Sequence, residues 1–267
     1  MPSDSTTTTT SVTPDLAQAL RTLGLWLVAD GLDDFLARAT RSRYSPRQLL
    51  EELTRLEIEE RARKSVERRL GRSRLGRFKP MADFDWDWPR KIDRPAVEHA
   101  FRLGFLERGE NIVLVAAQGL GKTMIAKNIA HAAVLAGAST LFSTASDLLL
   151  DLAKQETARA LERRLRHYAQ PQLLCIDEVG YLSYDNHAAD LLFQIVSRRY
   201  ERRSIVLTTN LAFAEWNTVF PNAACATALI DRLTHHSEIV PIEGESYRKR
   251  EAELARKHRR RGDRSPA

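Results

Sequence analysis

Apolar residues follow two different rhythms along this 267-residue chain. Before residue 90 they recur every three or four positions, at Leu16, Leu20, Leu23 and Leu27 and again at Leu49, Leu53 and Leu56, which gathers them on one side of a helix. The spacing predicts a first helix opening at Asp15 and closed by Gly31, a short segment around Phe35 and Leu36, and a longer helix capped by Ser45 with Pro46 in its first position. Glu51, Glu52, Glu57, Glu59 and Glu60 lie on or beside the rest of that helix surface. Beyond Glu60 the apolar periodicity fades, and Gly71 and Gly76 mark a helix break. Phe84-Asp-Trp-Asp-Trp88-Pro89 and Arg94-Pro95 then read as an extended linker whose aromatics pack on the next domain.

After that point unbroken apolar runs alternate with helical spacings. Pro95–Leu106 reads as a helix, Ile112–Ala117 as a strand covered on both faces, and Thr123–Ala136 as a helix closed by Gly137. Ser139–Ser143, Leu173–Ile176, Ser204–Thr209 and Glu238–Ile242 are further strands. Between them fall a helix capped at Ser146-Asp147, a strongly basic helix Ala158–Tyr168 and an apolar helix Ala226–Leu233. Strands separated by helices predict an α/β fold, a parallel sheet sandwiched by helices, preceded by a small all-helical domain. The expected divisions are a disordered Ser/Thr-rich leader 1–14, a helical domain with a basic extension 15–80, a linker 81–95, the α/β domain 96–256 and a basic tail 257–267.

Composition adds modest constraints. The formal charge of +6 favours an acidic partner such as nucleic acid. Its distribution says more, because Arg61, Arg63, Lys64, Arg68, Arg69, Arg72, Arg74, Arg77 and Lys79 crowd one stretch with few carboxylates, a pattern suited to a phosphate backbone. Arg159, Arg163, Arg164 and Arg166 and the tail Arg256–Arg264 are further candidates for DNA contact. Cys175 and Cys225 are the only cysteines, so neither a disulfide framework nor a Cys-rich zinc site is available, and a reducing cytoplasm fits. No apolar run approaches the roughly 20 residues of a membrane helix, and the chain opens without an apolar signal core.

The chemistry concentrates where the first apolar strand ends. Gly119 and Gly121 let the backbone approach an anion, and the helix opened by Lys122 and Thr123 turns free N–H groups toward it. Gly119, Leu120, Gly121, Lys122, Thr123 and Met124 are the candidate nucleotide contacts, with Lys122 reaching the β/γ-phosphates and the Thr123 hydroxyl binding magnesium. Ala116 stands where the pattern G-x-x-x-x-G-K-[ST] has its first glycine, a change that adds one methyl group. Some fifty residues on, Asp177 and Glu178 close an apolar strand. Acids there sit at the edge where ligands bind in open α/β sheets, Asp177 to hold magnesium and Glu178 to orient and polarise the attacking water. Asn210 ends the next strand, placed to hydrogen-bond that water or the phosphate. Arg232 has two readings, a surface ion-pair partner or an arginine finger acting on a neighbouring subunit's site.

An ordered set of segments carries a more specific likeness: Glu107-Arg-Gly-Glu-Asn-Ile-Val-Leu114, Gly119-Leu-Gly-Lys-Thr123, Leu161-Glu-Arg-Arg-Leu165, Ile176-Asp-Glu-Val-Gly-Tyr-Leu182, the run 189–202, Thr209-Asn210 with Glu215-Trp216, Ile230-Asp-Arg-Leu233 and Gly244-Glu-Ser-Tyr-Arg248. With these the chain resembles, over about residues 16–256, the IstB-like helper ATPases of insertion-sequence transposition, within the AAA+ superfamily and close to the DnaC-type helicase loaders. The resemblance implies an ATP- and Mg2+-dependent ATPase that assembles as a homo-oligomer on double-stranded target DNA and directs a partner transposase. It further implies Lys122 and Thr123 as phosphate and magnesium contacts, Asp177 and Glu178 as the hydrolytic pair, Asn210 as first sensor, Arg232 as the finger and Arg248 as second sensor on a shortened lid. A helicase loader that binds a replicative helicase and single-stranded DNA shares the ATPase parts. The leucine-faced N-terminal unit, with its basic extension and no cysteines for a metal site, suits duplex contact better. A binding module that does not hydrolyse ATP is a third reading.

Overall fold

The apolar runs assemble into one sheet. The computed structural model describes residues 15–181 and 183–252, and the leader 1–14 and the basic tail lie outside them. Contacts divide the chain into two compact units between Glu67 and Arg68.

The first unit is helical, with α1 (Leu16–Thr22), α2 (Trp26–Asp30), α3 (Leu32–Arg41) and the larger part of α4 (Pro46–Ser73). The single helix expected from Asp15 to Gly31 is two, because Gly24 adopts a left-handed φ of +78° between them. Leu16, Leu23 and Leu27 of the expected stripe are therefore exposed, while Val28, Ala29, Phe35 and Ala39 are buried. Ser45 caps α4 as expected: its Oγ accepts from the Gln48 N–H, and Gln48 Oε1 accepts from the Ser45 N–H in return. Glu57, placed with the surface acids by its pattern, is buried instead and accepts a 2.8 Å hydrogen bond from the Val28 N–H, capping the start of α2. The basic run is also partly neutralised. Arg63 pairs with Glu60 and Glu67, Lys64 pairs with Glu60, and Arg61 donates to the Gly24 carbonyl.

The second unit holds the sheet. Its strands are β1 (Lys91–Ile92), β2 (Asn111–Ala116), β3 (Thr140–Thr144), β4 (Leu173–Val179), β5 (Ser204–Thr209) and β6 (Ser237–Glu243), in the order β1-β6-β2-β5-β4-β3. All pairings are parallel except the short edge strand β1, antiparallel to β6. Parallel strands need crossovers, supplied by α5 (Arg94–Phe101), α6 (Gly104–Arg108), α7 (Lys122–Leu135), α8 (Ala145–Ala153), α9 (Ala158–Ala169), α10 (Asn186–Arg199) and α11 (Ala223–Thr234). Two apolar clusters result: one joins α8 to α11 to β4 and β5, and the other joins α5 and α7 to β2 and β6.

Local details depart from the sequence reading in four places. Gly71 does not break α4, which runs to Ser73; Gly76, at φ +60°, lies beyond its end. Pro95–Leu106 is two helices, separated where Leu103 turns left-handed. The cap of α8 is Thr144, whose hydroxyl accepts from the Asp147 N–H, so strand passes directly into helix. The change of unit comes earlier than residues 81–95, since Leu70, Leu75, Phe78, Met81, Phe84 and Trp86 pack on the sheet unit's own apolar cluster. Arg69 donates to the Val134 carbonyl, Leu75 O accepts from Lys127, the Met81 N–H donates to Asn128, and Phe84 reaches Gly121, so this segment runs along α7 to its N-terminus.

One buried cation organises the opposite end of the sheet. Arg199 is fully buried and donates to the carbonyls of Tyr168, Ala169, Pro171, Gln172 and Ser204, tying the end of α9 to the starts of β4 and β5. Carbonyls left over at a helix end and two strand starts thereby find donors without water.

Candidate functional site

The loop between β2 and α7 sits in the middle of the sheet. Ala116 is the last residue of β2, paired with Ile242, and its side chain is buried in the apolar cluster. The methyl group that departs from the phosphate-loop pattern thus points into the core. Gly119 and Gly121 have φ of +81° and +87°, a region that disfavours side chains. Each is also roofed: a Cβ on Gly119 would lie 2.1 Å from Ser246 Oγ, and one on Gly121 would lie 2.5 Å from a Phe84 ring carbon. Gly121 starts α7 without any side-chain cap, which leaves the first N–H groups of a 14-residue helix for a ligand. Lys122 Nζ donates to the Ala116 and Ala117 carbonyls at 2.5 and 2.9 Å. Burial lowers its pKa, Arg248 adds to that, and Asp177 and Glu178 oppose it.

Asp177 and Glu178 stand where the β4–β5 register slips between Ile176 and Val179. The irregularity sends the two acids to different environments, Asp177 buried and Glu178 exposed at φ +62°. Asp177 Oδ1 accepts from Thr123 Oγ1 at 3.1 Å and from Thr208 Oγ1 at 2.5 Å. Thr208 Oγ1 also accepts from the Glu178 N–H at 2.9 Å. One hydroxyl therefore fixes both acids, a role the sequence signalled only as a polar residue inside an apolar strand. Thr208→Val keeps the shape and removes both bonds, so we expect a loss of about 2 kcal/mol in folding stability, read from the urea midpoint; an unchanged midpoint contradicts it. Asn210 follows β5, and its buried Oδ1 has no partner among the described residues.

These groups surround a cavity of about 590 Å³ whose wall includes Gly119, Leu120, Gly121, Lys122, Thr123, Met124, Glu178, Asn210 and Arg248. Its rim is built by two segments that the motif does not contain. Trp88 Nε1 donates to Glu245 O, Arg250 pairs with Asp85 and lies 4.3 Å from the Trp88 ring, Lys79 pairs with Glu251, and the Tyr247 N–H donates to Gly119 O. Phe84, Trp88 and Tyr247 join the wall, so two of the linker aromatics, Phe84 and Trp88, lie at the cavity, while Trp86 packs edge-on against Phe84. Arg232 is not part of it. Its guanidinium lies 4.5 Å from the Phe193 ring on α10, outside its own chain's cavity.

The donor set fits a magnesium nucleotide. Thr123, Thr208 and Asp177 offer only oxygen, as a hard cation requires, and the unpartnered Asn210 oxygen can accept from a water. Among the described residues no helix is long and apolar enough to cross a membrane.

The family model for IstB-like ATP binding proteins matches residues 18–255. A protein of insertion sequence IS5376 from Geobacillus stearothermophilus, described as ATP-binding, is 38% identical over 207 residues, 78% of this chain and 82% of that one. The corresponding protein of IS21 from Pseudomonas aeruginosa is 37% identical over 224 residues, 84% of each. Among solved structures, DnaI superposes with a TM-score of 0.53 at 18% identity, covering 63% of this chain and 92% of that one. The replication initiator DnaA bound to AMPPCP and single-stranded DNA gives 0.50 at 17% identity, covering 61% and 52%. Likeness at that identity is likeness of fold, the AAA+ P-loop sheet flanked by helices. The sequence matches go further, and by them the chain belongs to the IstB-like ATP-binding proteins.

Proposed function

We propose that this protein is an ATP-dependent regulator of transposition in the cytoplasm. It assembles as a homo-oligomer on double-stranded target DNA and directs a partner transposase there, with Mg2+-dependent ATP hydrolysis controlling assembly and release. The observation that carries this reading is the convergence of Lys122, Thr123, Glu178, Asn210 and Arg248 on one cavity, with Asp177 hydrogen-bonded beneath it. Lys122 and Arg248 bind the phosphates, and the aromatic wall leaves surface for the base. Thr123 and Asp177 hold the magnesium ion, which neutralises phosphate charge. Glu178 orients water and takes its proton, Asn210 hydrogen-bonds it, and Arg232 completes the site of a neighbouring subunit.

The insertion-sequence relatives and the basic surface support DNA as partner. Arg68, Arg72 and Arg74 are exposed and make no ion pair or hydrogen bond among the described residues, unlike Arg61, Arg63 and Lys64. Replacing the three by Gln lowers the salt slope of duplex binding by about 2–3 in log–log units, whereas replacing Arg63 and Lys64 leaves it nearly unchanged. An unaltered slope in the triple variant contradicts the assignment. The function itself is tested by capture with ATP and duplex DNA: an integrase-type transposase is retained, and retention of a replicative helicase instead would make the protein a helicase loader.

A further inference from the structure

Four polar side chains meet at the N-terminal edge of the sheet, the edge opposite the phosphate loop. Tyr200 and Glu201 follow α10, and His235 and His236 lie between α11 and β6. Glu201 Oε1 is 3.7 Å from His235 Nδ1 and 3.5 Å from His236 Nε2. Ligand atoms of a tetrahedral zinc ion, each roughly 2.0–2.1 Å from the metal, stand about 3.4 Å apart. One donor atom from each of the three residues lies within 4.8 Å of the others. The Tyr200 hydroxyl hydrogen-bonds His235 Nδ1 at 2.6 Å, a contact that an ion bound at this nitrogen displaces.

The backbone beneath is fixed. The Asn111 N–H donates to His236 O and its side chain to Leu233 O, which pins the turn that carries both histidines. Glu201 turns left-handed at φ +57°, directing the chain from α10 toward β5. The surrounding charges are mixed: Glu110 lies within electrostatic reach of His236, and Asp231 and Arg232 within reach of Tyr200. All three ligand residues are exposed, so an ion can enter without rearranging the core.

We propose that Glu201, His235 and His236 form a site for a borderline divalent cation, zinc above all. Two imidazoles and one carboxylate are a donor set for zinc, and hard cations such as magnesium compete poorly for imidazole nitrogen. The bound ion cross-links the α10–β5 turn to the end of α11. Arg232 lies one turn earlier on α11, so zinc also steadies the helix end that carries it; only this consequence rests on the trans-acting reading of Arg232.

The test titrates Zn2+ alone into chelator-treated, nucleotide-free full-length protein in excess Mg2+, which competes for the oxygen donors of the nucleotide site. Wild type binds one equivalent more than the His235→Ala/His236→Ala double variant, and Glu201→Gln weakens that equivalent at least about tenfold. Co2+ in its place gives the intense visible bands of a tetrahedral ion in wild type and not in the double variant. Because the replaced side chains are exposed, the variant's circular dichroism matches wild type, and its ATP binding is a second check on folding. Equal zinc stoichiometry and affinity in wild type and double variant overturn the proposal, whatever the ATPase assays give.

Discussion

Glu178→Gln binds Mg–ATP like wild type and loses about 10³-fold in turnover, the range lost when a positioned general base is removed. Glutamine keeps the size of the side chain, and the backbone at this position is held by Thr208 rather than by the carboxylate. What disappears is the one exposed carboxylate of the pair on the cavity wall, the group able to accept a proton from water. Asp177 cannot replace it, being buried and already accepting from Thr123 and Thr208. Steady-state phosphate release together with fluorescent-nucleotide binding measures both halves. Wild-type turnover in the variant, or no turnover in wild type, removes the hydrolytic assignment and leaves a nucleotide-binding module.

Arg232→Ala folds, binds nucleotide, and loses 10³-fold or more in turnover, within the roughly 10³–10⁵-fold range for an arginine finger. Within its own chain Arg232 contacts the Phe193 ring and, at 3.4 Å, the Ala228 carbonyl. Its loss should cost the fold only about 0.5–1 kcal/mol. A large loss of turnover with a small loss of stability separates a finger from a packing residue. Arg232→Lys is expected not to restore activity, because an ammonium lacks the planar fork that spans two phosphate oxygens. A variant with normal turnover would leave Arg232 as the surface partner of Phe193 alone.

The legibility of the fold in the sequence depends on which forces are local. The strand and helix periods of residues 111–243 are set by burial on a parallel sheet, and they placed β2, β3, β5, β6 and the loop between β2 and α7 within a residue or two, while β4 runs on three residues past Ile176 to Val179. The juxtaposition of the loop with Asp177 and Asn210 followed from sheet topology. Backbone irregularities were not legible. The slip at Asp177 and Glu178 depends on the partner strand, and the break at Gly24 was hidden beneath an unbroken leucine stripe. Long-range polar contacts were also invisible. Glu57 looks like any surface acid until the N-terminus of α2 needs a cap, and Thr208 looks like a strand residue until it is found between two carboxyl-bearing neighbours. Segments 77–89 and 244–251 close on each other across the loop through contacts more than 150 residues apart, beyond the reach of any periodicity.

The central claim is a site shared between subunits, and a mixing assay addresses it most directly. Lys122→Ala lacks the phosphate contact but keeps Arg232, and Arg232→Ala lacks the finger but keeps the loop; each alone is expected to be inactive. Mixed with duplex DNA and ATP, the two are predicted to recover a substantial part of wild-type ATP hydrolysis, peaking near equal proportions. Turnover that stays at the sum of the two inactive proteins at every ratio, under conditions where they co-assemble, would contradict a finger acting in trans.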